Sequence, residues 1–197
     1  MHQSNRLINK LFSAKAFNNS LLFKKTDKYH FSPERILISL NQYSLFCDQY
    51  QNSDMEAKFS QRVMDVLGFS KEEALRLNSP YVGVEHLFLG MLREGDGMAI
   101  HLLRNAGVNL GEIRKSIEKA ANQTDGPSVM PEADIPLVRQ VEQILKLTYL
   151  VAKDLKSELI ETEHLLLAIL KENKNYVSTL LGRTGATYEL MLSELRN

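Results

Sequence analysis

The chain has 197 residues, 44% of them hydrophobic, with 24 Lys and Arg against 24 Asp and Glu; that length can bury one sizeable core or two small ones without metals or crosslinks. The balanced charge argues against a general binder of nucleic-acid backbone. Cys47 is the single cysteine, which excludes an intrachain disulfide and a thiolate zinc cluster and fits a reducing compartment, and no apolar run approaches the ~20 residues that span a bilayer.

Residues 1–54 differ in character from the rest of the chain. They hold five of the eight phenylalanines and seven Lys or Arg against four acids, and show no sustained helical period. Arg6, Lys10, Lys15, Lys24 and Lys25 fall within the first 26 residues, which contain no acid, a composition that suits an organelle transit peptide. The plainer expectation is an N-terminal extension that is disordered or not native, with the folded part starting at Met55.

From Phe59 the chain aligns to itself without a gap at an offset of 78, so that 59–117 faces 137–195. Identities include Val63/Val141, Leu67/Leu145, Ala74/Ala152, Ser79/Ser157, the block Glu85-His86-Leu87 with Glu163-His164-Leu165, and Gly107/Gly185. A repeat of this kind means one structural unit used twice and packed as neighbours. The spacing predicts a first helix in each copy, with the stripe Phe59, Val63, Val66, Leu67, Ala74, Leu77 and its counterpart Leu137, Val141, Ile144, Leu145, Ala152, Leu155. Gly68 lies within the first of these at about 1 kcal/mol relative to alanine.

A second, centrally covered helix is expected over 86–92 and 164–170, which are apolar almost all round. A third ends near Gly107 or Gly185, where glycine serves a left-handed terminal residue. A fourth covers about 110–121 or 188–196. No stretch alternates with period two, so no strand is expected. The expected architecture is all-α, a tandem pseudo-twofold repeat of two four-helix units: repeat 1 about 59–121, a Gly- and Pro-containing linker about 122–134, and repeat 2 about 135–196.

In the second copy Thr162 is expected to cap the central helix, placing Glu163 in its first turn, where a carboxylate meets the positive end of the helix dipole; Val84 holds the same place in the first copy. The structural role explains an acid here. A functional role is also open, because backbone N–H groups at a helix start hold phosphate or carboxylate and a neighbouring glutamate pairs with a guanidinium. His30, His86, His101 and His164 have no ligand spacing, so no metal site is expected and a helical enzyme or metal protein using His86 and His164 is the weakest reading. Ser, Asp and His occur in no nucleophile context, and Gly182-Arg183-Thr184-Gly185 lacks the Walker pattern. No catalytic residue is assigned.

"FSQRVMDVLGFSKEEALRLNSPYVGVEHLFLGMLREGDGMAIHLLRNAGVNLGEIR" and "VRQVEQILKLTYLVAKDLKSELIETEHLLLAILKENKNYVSTLLGRTGA" closely resemble the double Clp N-terminal repeat, in particular that of ClpC-type Hsp100 ATPases. The resemblance covers nearly all of 56–196 and none of 1–54. It implies the compact helical Clp N-domain fold, non-catalytic by itself, linked in the parent protein to AAA+ rings that bind ATP and magnesium and feed the ClpP peptidase. No cofactor is expected in this chain.

The partners it implies are adaptor proteins and protein substrates, with no nucleic acid or membrane, and an isolated domain is expected to be monomeric. In some bacteria such a domain docks phosphorylated arginine; by position those roles fall on Glu85 with Ser60 in the first repeat and on Glu163 with Val138 in the second, where Val138 has no hydroxyl and Glu161 adds an acid. The alternative is a stand-alone Clp-repeat protein that modulates a Clp protease complex. The expected compartment is the bacterial cytoplasm, or an organelle if residues 1–26 are a transit peptide.

Overall fold

The computed structural model describes residues 58–121 and 135–196; the extension and the linker expected from sequence lie outside them. In chain order the elements are β1 (Lys58–Phe59), α1 (Gln61–Arg76), α2 (Val84–Glu94), α3 (Met98–Asn105) and α4 (Leu110–Ala121), then α5 (Arg139–Asp154), β2 (Leu159–Ile160), α6 (Thr162–Glu172), α7 (Tyr176–Arg183) and α8 (Tyr188–Arg196). Each repeat therefore contributes four helices where its apolar stripes predict them, except that the first stripe of each starts too early: Phe59 lies in β1 and Leu137 in an isolated bridge, ahead of α1 and α5.

The turns are duplicated as closely as the helices. The described residues with positive φ form three pairs at the offset of 78: Asn78 and Lys156, Gly95 and Asn173, Gly107 and Gly185. At Gly107 and Gly185 the left-handed conformation ends α3 and α7, and a residue without Cβ adopts it freely.

The repeats interlock. The central helices α2 and α6 each pack on the first helix of their own repeat, but α3 also packs on α6 and α7 packs on α2, and one continuous core draws residues from both repeats, among them Leu87, Phe88 and Leu103 from the first and Leu165, Leu166 and Leu181 from the second. A helix that is apolar almost all round must be covered on all sides, and the third helix of the other repeat supplies part of that cover.

Where α2 crosses α1 the backbones approach closely. A Cβ built on Gly90 would stand 2.5 Å from the Val66 carbonyl oxygen and 2.8 Å from the Ser70 nitrogen. Its counterpart in α6 is Ala168, so the second crossing has room for a methyl group.

The expectation of no strand is corrected by two very short ones. β1 and β2 pair in parallel, with Lys58 opposite Leu159 and Phe59 opposite Ile160. An isolated parallel bridge joins Val82 to Leu137. Adding 78 to Phe59 gives Leu137, and subtracting it from Ile160 gives Val82, so the two pairings are one contact repeated by the pseudo-twofold. Strands of two residues leave no alternation to read.

Candidate functional site

These crossed pairings decide which helix starts come together. The Ser60 N–H donates to the Ile160 carbonyl at 2.9 Å, and its counterpart Val138 N–H donates to the Val82 carbonyl at 3.1 Å. Ser60 and Val138 are the N-caps of α1 and α5, while Ile160 and Val82 lead directly into α6 and α2. The start of each first helix is thus tied to the start of the central helix of the other repeat. Position in the repeat pairs Ser60 with Glu85 and Val138 with Glu163, whereas backbone hydrogen bonding links Ser60 to the segment bearing Glu163, and Val138 to the segment bearing Glu85.

At the Ser60 end, the buried Ser60 hydroxyl accepts from the Val63 N–H at 3.3 Å and caps α1. Arg62, in the first turn, reaches Glu94 at the far end of α2; its counterpart Gln140 reaches Glu172 in the same way at 3.1 Å. Glu163 is half-buried in the first turn of α6. Burial raises its pKa above the usual carboxylate value, and the Glu161 carboxylate adds to the rise, while hydrogen bonds from its own N–H and from Thr162 oppose it. A carboxylate so placed gains from any cation that reaches it.

Thr162 does not cap α6. The N-cap is Glu161, and Thr162, the first helical residue, instead accepts the Ala99 N–H of α3 at 3.3 Å. Gly97 lies so close that a Cβ there would stand 2.3 Å from the Thr162 Oγ1. The start of α3 is therefore seated on the start of α6. Val84, likewise, is the first residue of α2 after the N-cap Gly83.

The capping function falls to the histidines. His86 Nδ1 accepts the Gly83 N–H at 3.0 Å, and His164 Nδ1 accepts the Glu161 N–H at 2.9 Å, the reciprocal half of a capping box with imidazole where glutamate or glutamine is usual. Burial lowers the pKa of both rings. Accepting at Nδ1 leaves the proton of the neutral ring on Nε2, which in His86 is buried without a hydrogen-bond partner. The sequence sets the repeated histidine apart from metal binding but does not locate its hydrogen-bond partner. The His-at-third-position pattern, present in both copies, was the available signal.

At the Val138 end, the N-cap of α5 makes no side-chain hydrogen bond. Glu85 folds back over Gly83, where a Cβ would stand 2.2 Å from its Oε1, and its carboxylate lies 3.5 Å from His86 Nδ1. The second copy has Glu161 in the place of Gly83, so the two glutamates are seated differently. Among the described residues no group of three or more His, Cys, Asp or Glu side chains could hold a metal ion, and no helix is long and apolar enough to cross a membrane.

Comparison with known proteins places this geometry in a family. The model of the Clp repeat (R) N-terminal domain matches residues 58–184. Among curated relatives, the chloroplastic chaperone protein ClpC2 of Arabidopsis thaliana is 33% identical over 132 residues, covering 67% of this chain and 14% of the relative. The chaperone protein ClpB of Oceanobacillus iheyensis is 30% identical over 133 residues, covering 68% and 16%. The chain thus matches about one seventh of the length of these relatives. Among solved structures, the N-terminal domain of ClpD from Arabidopsis thaliana superposes with a TM-score of 0.57 at 19% identity, covering 74% of this chain and 99% of that one. The N-terminal domain of Hsp104 from Candida albicans gives 0.58 at 17% identity, covering 71% and 91%.

Proposed function

The chain belongs to the Clp repeat N-terminal domain family, and from that premise we propose that it is the recognition domain through which a Clp-type ATP-dependent unfoldase receives adaptors and protein substrates. The finer reading is that it docks side chains of phosphorylated arginine. The observation that carries this reading is the crossed pairing at Ser60. It ties a hydroxyl-capped helix start with Arg62 in its first turn to the start of α6, where Glu163 is held above its ordinary pKa. Helix N-termini and hydroxyls suit a phosphoryl group, and a carboxylate suits a guanidinium. Phosphoarginine carries both on one side chain.

The Ser60–Glu163 end is the stronger docking site in this reading, and the Val138–Glu85 end, with no hydroxyl, the weaker. Relatives named as chloroplastic, together with the five basic residues and no acid in the first 26, support an organelle as the compartment. Calorimetric titration of the whole chain with a phosphoarginine peptide tests the proposal. Saturable binding is expected, weakened about tenfold or more in Glu163→Gln, the scale of one charge-assisted hydrogen bond, and less in Glu85→Gln. Absence of saturable binding removes the phosphoarginine reading. Failure to bind unfolded substrate proteins as well removes the recognition role.

A further inference from the structure

Folding accounts for apolar residues kept inside both copies of a duplicated unit; it does not account for large apolar residues kept outside at equivalent positions. Six large apolar side chains are exposed among the described residues, and four form two pairs at the offset of 78: Tyr81 (42%) with Leu159 (42%), and Met98 (48%) with Tyr176 (45%). The remaining two, Leu150 and Leu190, have glutamate as counterparts, Glu72 and Glu112, as a solvated face allows.

The paired residues are held in place by built features. Tyr81 and Leu159 end matching turns in which the Ser79 and Ser157 hydroxyls donate to the carbonyls of Tyr81 and Leu159, each at 2.7 Å. Both stand four residues before a glutamate, Glu85 or Glu163. Met98 opens α3 between Gly97 and Ala99, the two residues in contact with Thr162 at the start of α6. Leu159 and Met98 therefore flank the start of α6 that bears Glu163. By the same pseudo-twofold Tyr81 and Tyr176 flank the start of α2, against which α7 packs.

We propose that Leu159 with Met98, and Tyr81 with Tyr176, each form an apolar seat beside a carboxylate, and that the partner is an extended peptide in which a basic side chain, phosphorylated or not, has bulky apolar neighbours. Charge complementarity selects this occupant. Asp96, Glu158, Glu161 and Glu163 lie near the Leu159 and Met98 positions along the chain, against Lys58 opposite Leu159, Lys156 in the preceding turn and Arg62, which Glu94 already holds; acids outnumber the remaining bases, so a cation between apolar neighbours suits both features better than a purely apolar or an acidic segment. The inference rests on the recognition role proposed for the domain and adds that the sites read the sequence around the basic residue.

The test uses the whole chain and four labelled peptides in fluorescence anisotropy: phosphoarginine between Gly and Ser, phosphoarginine between Leu and Phe, unmodified arginine between Leu and Phe, and glutamine between Leu and Phe. Apolar flanks are expected to tighten binding about tenfold, the effect of burying on the order of 60 Å² of apolar surface, and the glutamine peptide to bind weakest. Met98→Ser/Leu159→Ser and Tyr81→Ser/Tyr176→Ser, all exposed positions, are expected to remove that gain while leaving the Gly/Ser peptide unchanged. Affinity independent of the flanks, or equal loss for both phosphoarginine peptides, overturns the proposal. If unmodified arginine binds as tightly as phosphoarginine with the same dependence on flanks, the proposal stands and the phosphoarginine reading falls. No binding of any peptide overturns both.

Discussion

Gly68 and Gly90 are interior helix glycines, in α1 and α2, and replacing each by alanine separates helix propensity from packing. Propensity alone gains about 0.8–1.0 kcal/mol at either site. At Gly68 no atom lies within 4 Å of the new Cβ, so Gly68→Ala is expected to realise most of that gain. At Gly90 the Cβ would meet Val66 O at 2.5 Å, Ser70 Oγ at 2.6 Å and Ser70 N at 2.8 Å. The optimum carbon contact is about 3.5 Å or more, so α1 must retreat by roughly 1 Å, and two of the three atoms are backbone that cannot rotate aside. Overpacking of this kind costs about 1–3 kcal/mol, at the upper end here, for a net loss of about 1–2 kcal/mol. Urea denaturation at constant m-value measures both, with thermal shifts of about 4 °C per kcal/mol. Gly90→Ala as stable as Gly68→Ala would refute the close crossing of α1 and α2 and the reasoning built on it.

The other predictions concern the helix starts. His86 and His164 have folded pKa values below the ordinary ~6.5, so the unfolded chain binds protons first; stability is complete above about pH 6.5 and falls as the pH drops through the folded values. Unfolding free energies measured from pH 7 to pH 5 should show this slope, and His86→Gln/His164→Gln should flatten it whatever its absolute stability. Glu163 is shifted upward, so its ionised form is disfavoured by folding: Glu163→Gln should stabilise the chain by about 0.5–1 kcal/mol at pH 7, the scale of a partly exposed charge, and the difference should vanish near pH 4. For phosphoarginine binding, a double-mutant cycle between Ser60→Ala and Glu163→Gln should show coupling of about 0.5–3 kcal/mol, whereas Ser60→Ala with Glu85→Gln should be additive within about 0.5 kcal/mol; the reverse pattern would restore pairing within a repeat.

The fold was legible because it is written twice. Helical stripes such as Val63, Val66, Leu67 and Val141, Ile144, Leu145 recur with the same spacing, and two independent copies of one pattern leave little room for another assignment. Repetition also singles out Glu85, His86, Glu163 and His164 in the sequence, though not the partners of their side chains. The capping register was misread by one residue: Thr162 looks like an N-cap, but its hydroxyl is taken by the Ala99 N–H of α3, a contact 63 positions away in the chain, and His164 caps instead.

Sequence by itself determined the content of each repeat, because helix period, turn residues and the Glu-His block are local properties carried by neighbouring residues. Tertiary structure decided how the repeats combine. The pairing of Phe59 with Ile160 and of Val82 with Leu137 involves two residues a side, too few to leave a periodic trace. Yet it ties Ser60 to the helix of Glu163 and Val138 to that of Glu85. An alignment of the repeats shows which residues are equivalent; only the folded chain shows that equivalent residues exchange partners across the pseudo-twofold, because each central helix, apolar on every side, takes part of its cover from a helix of the other copy.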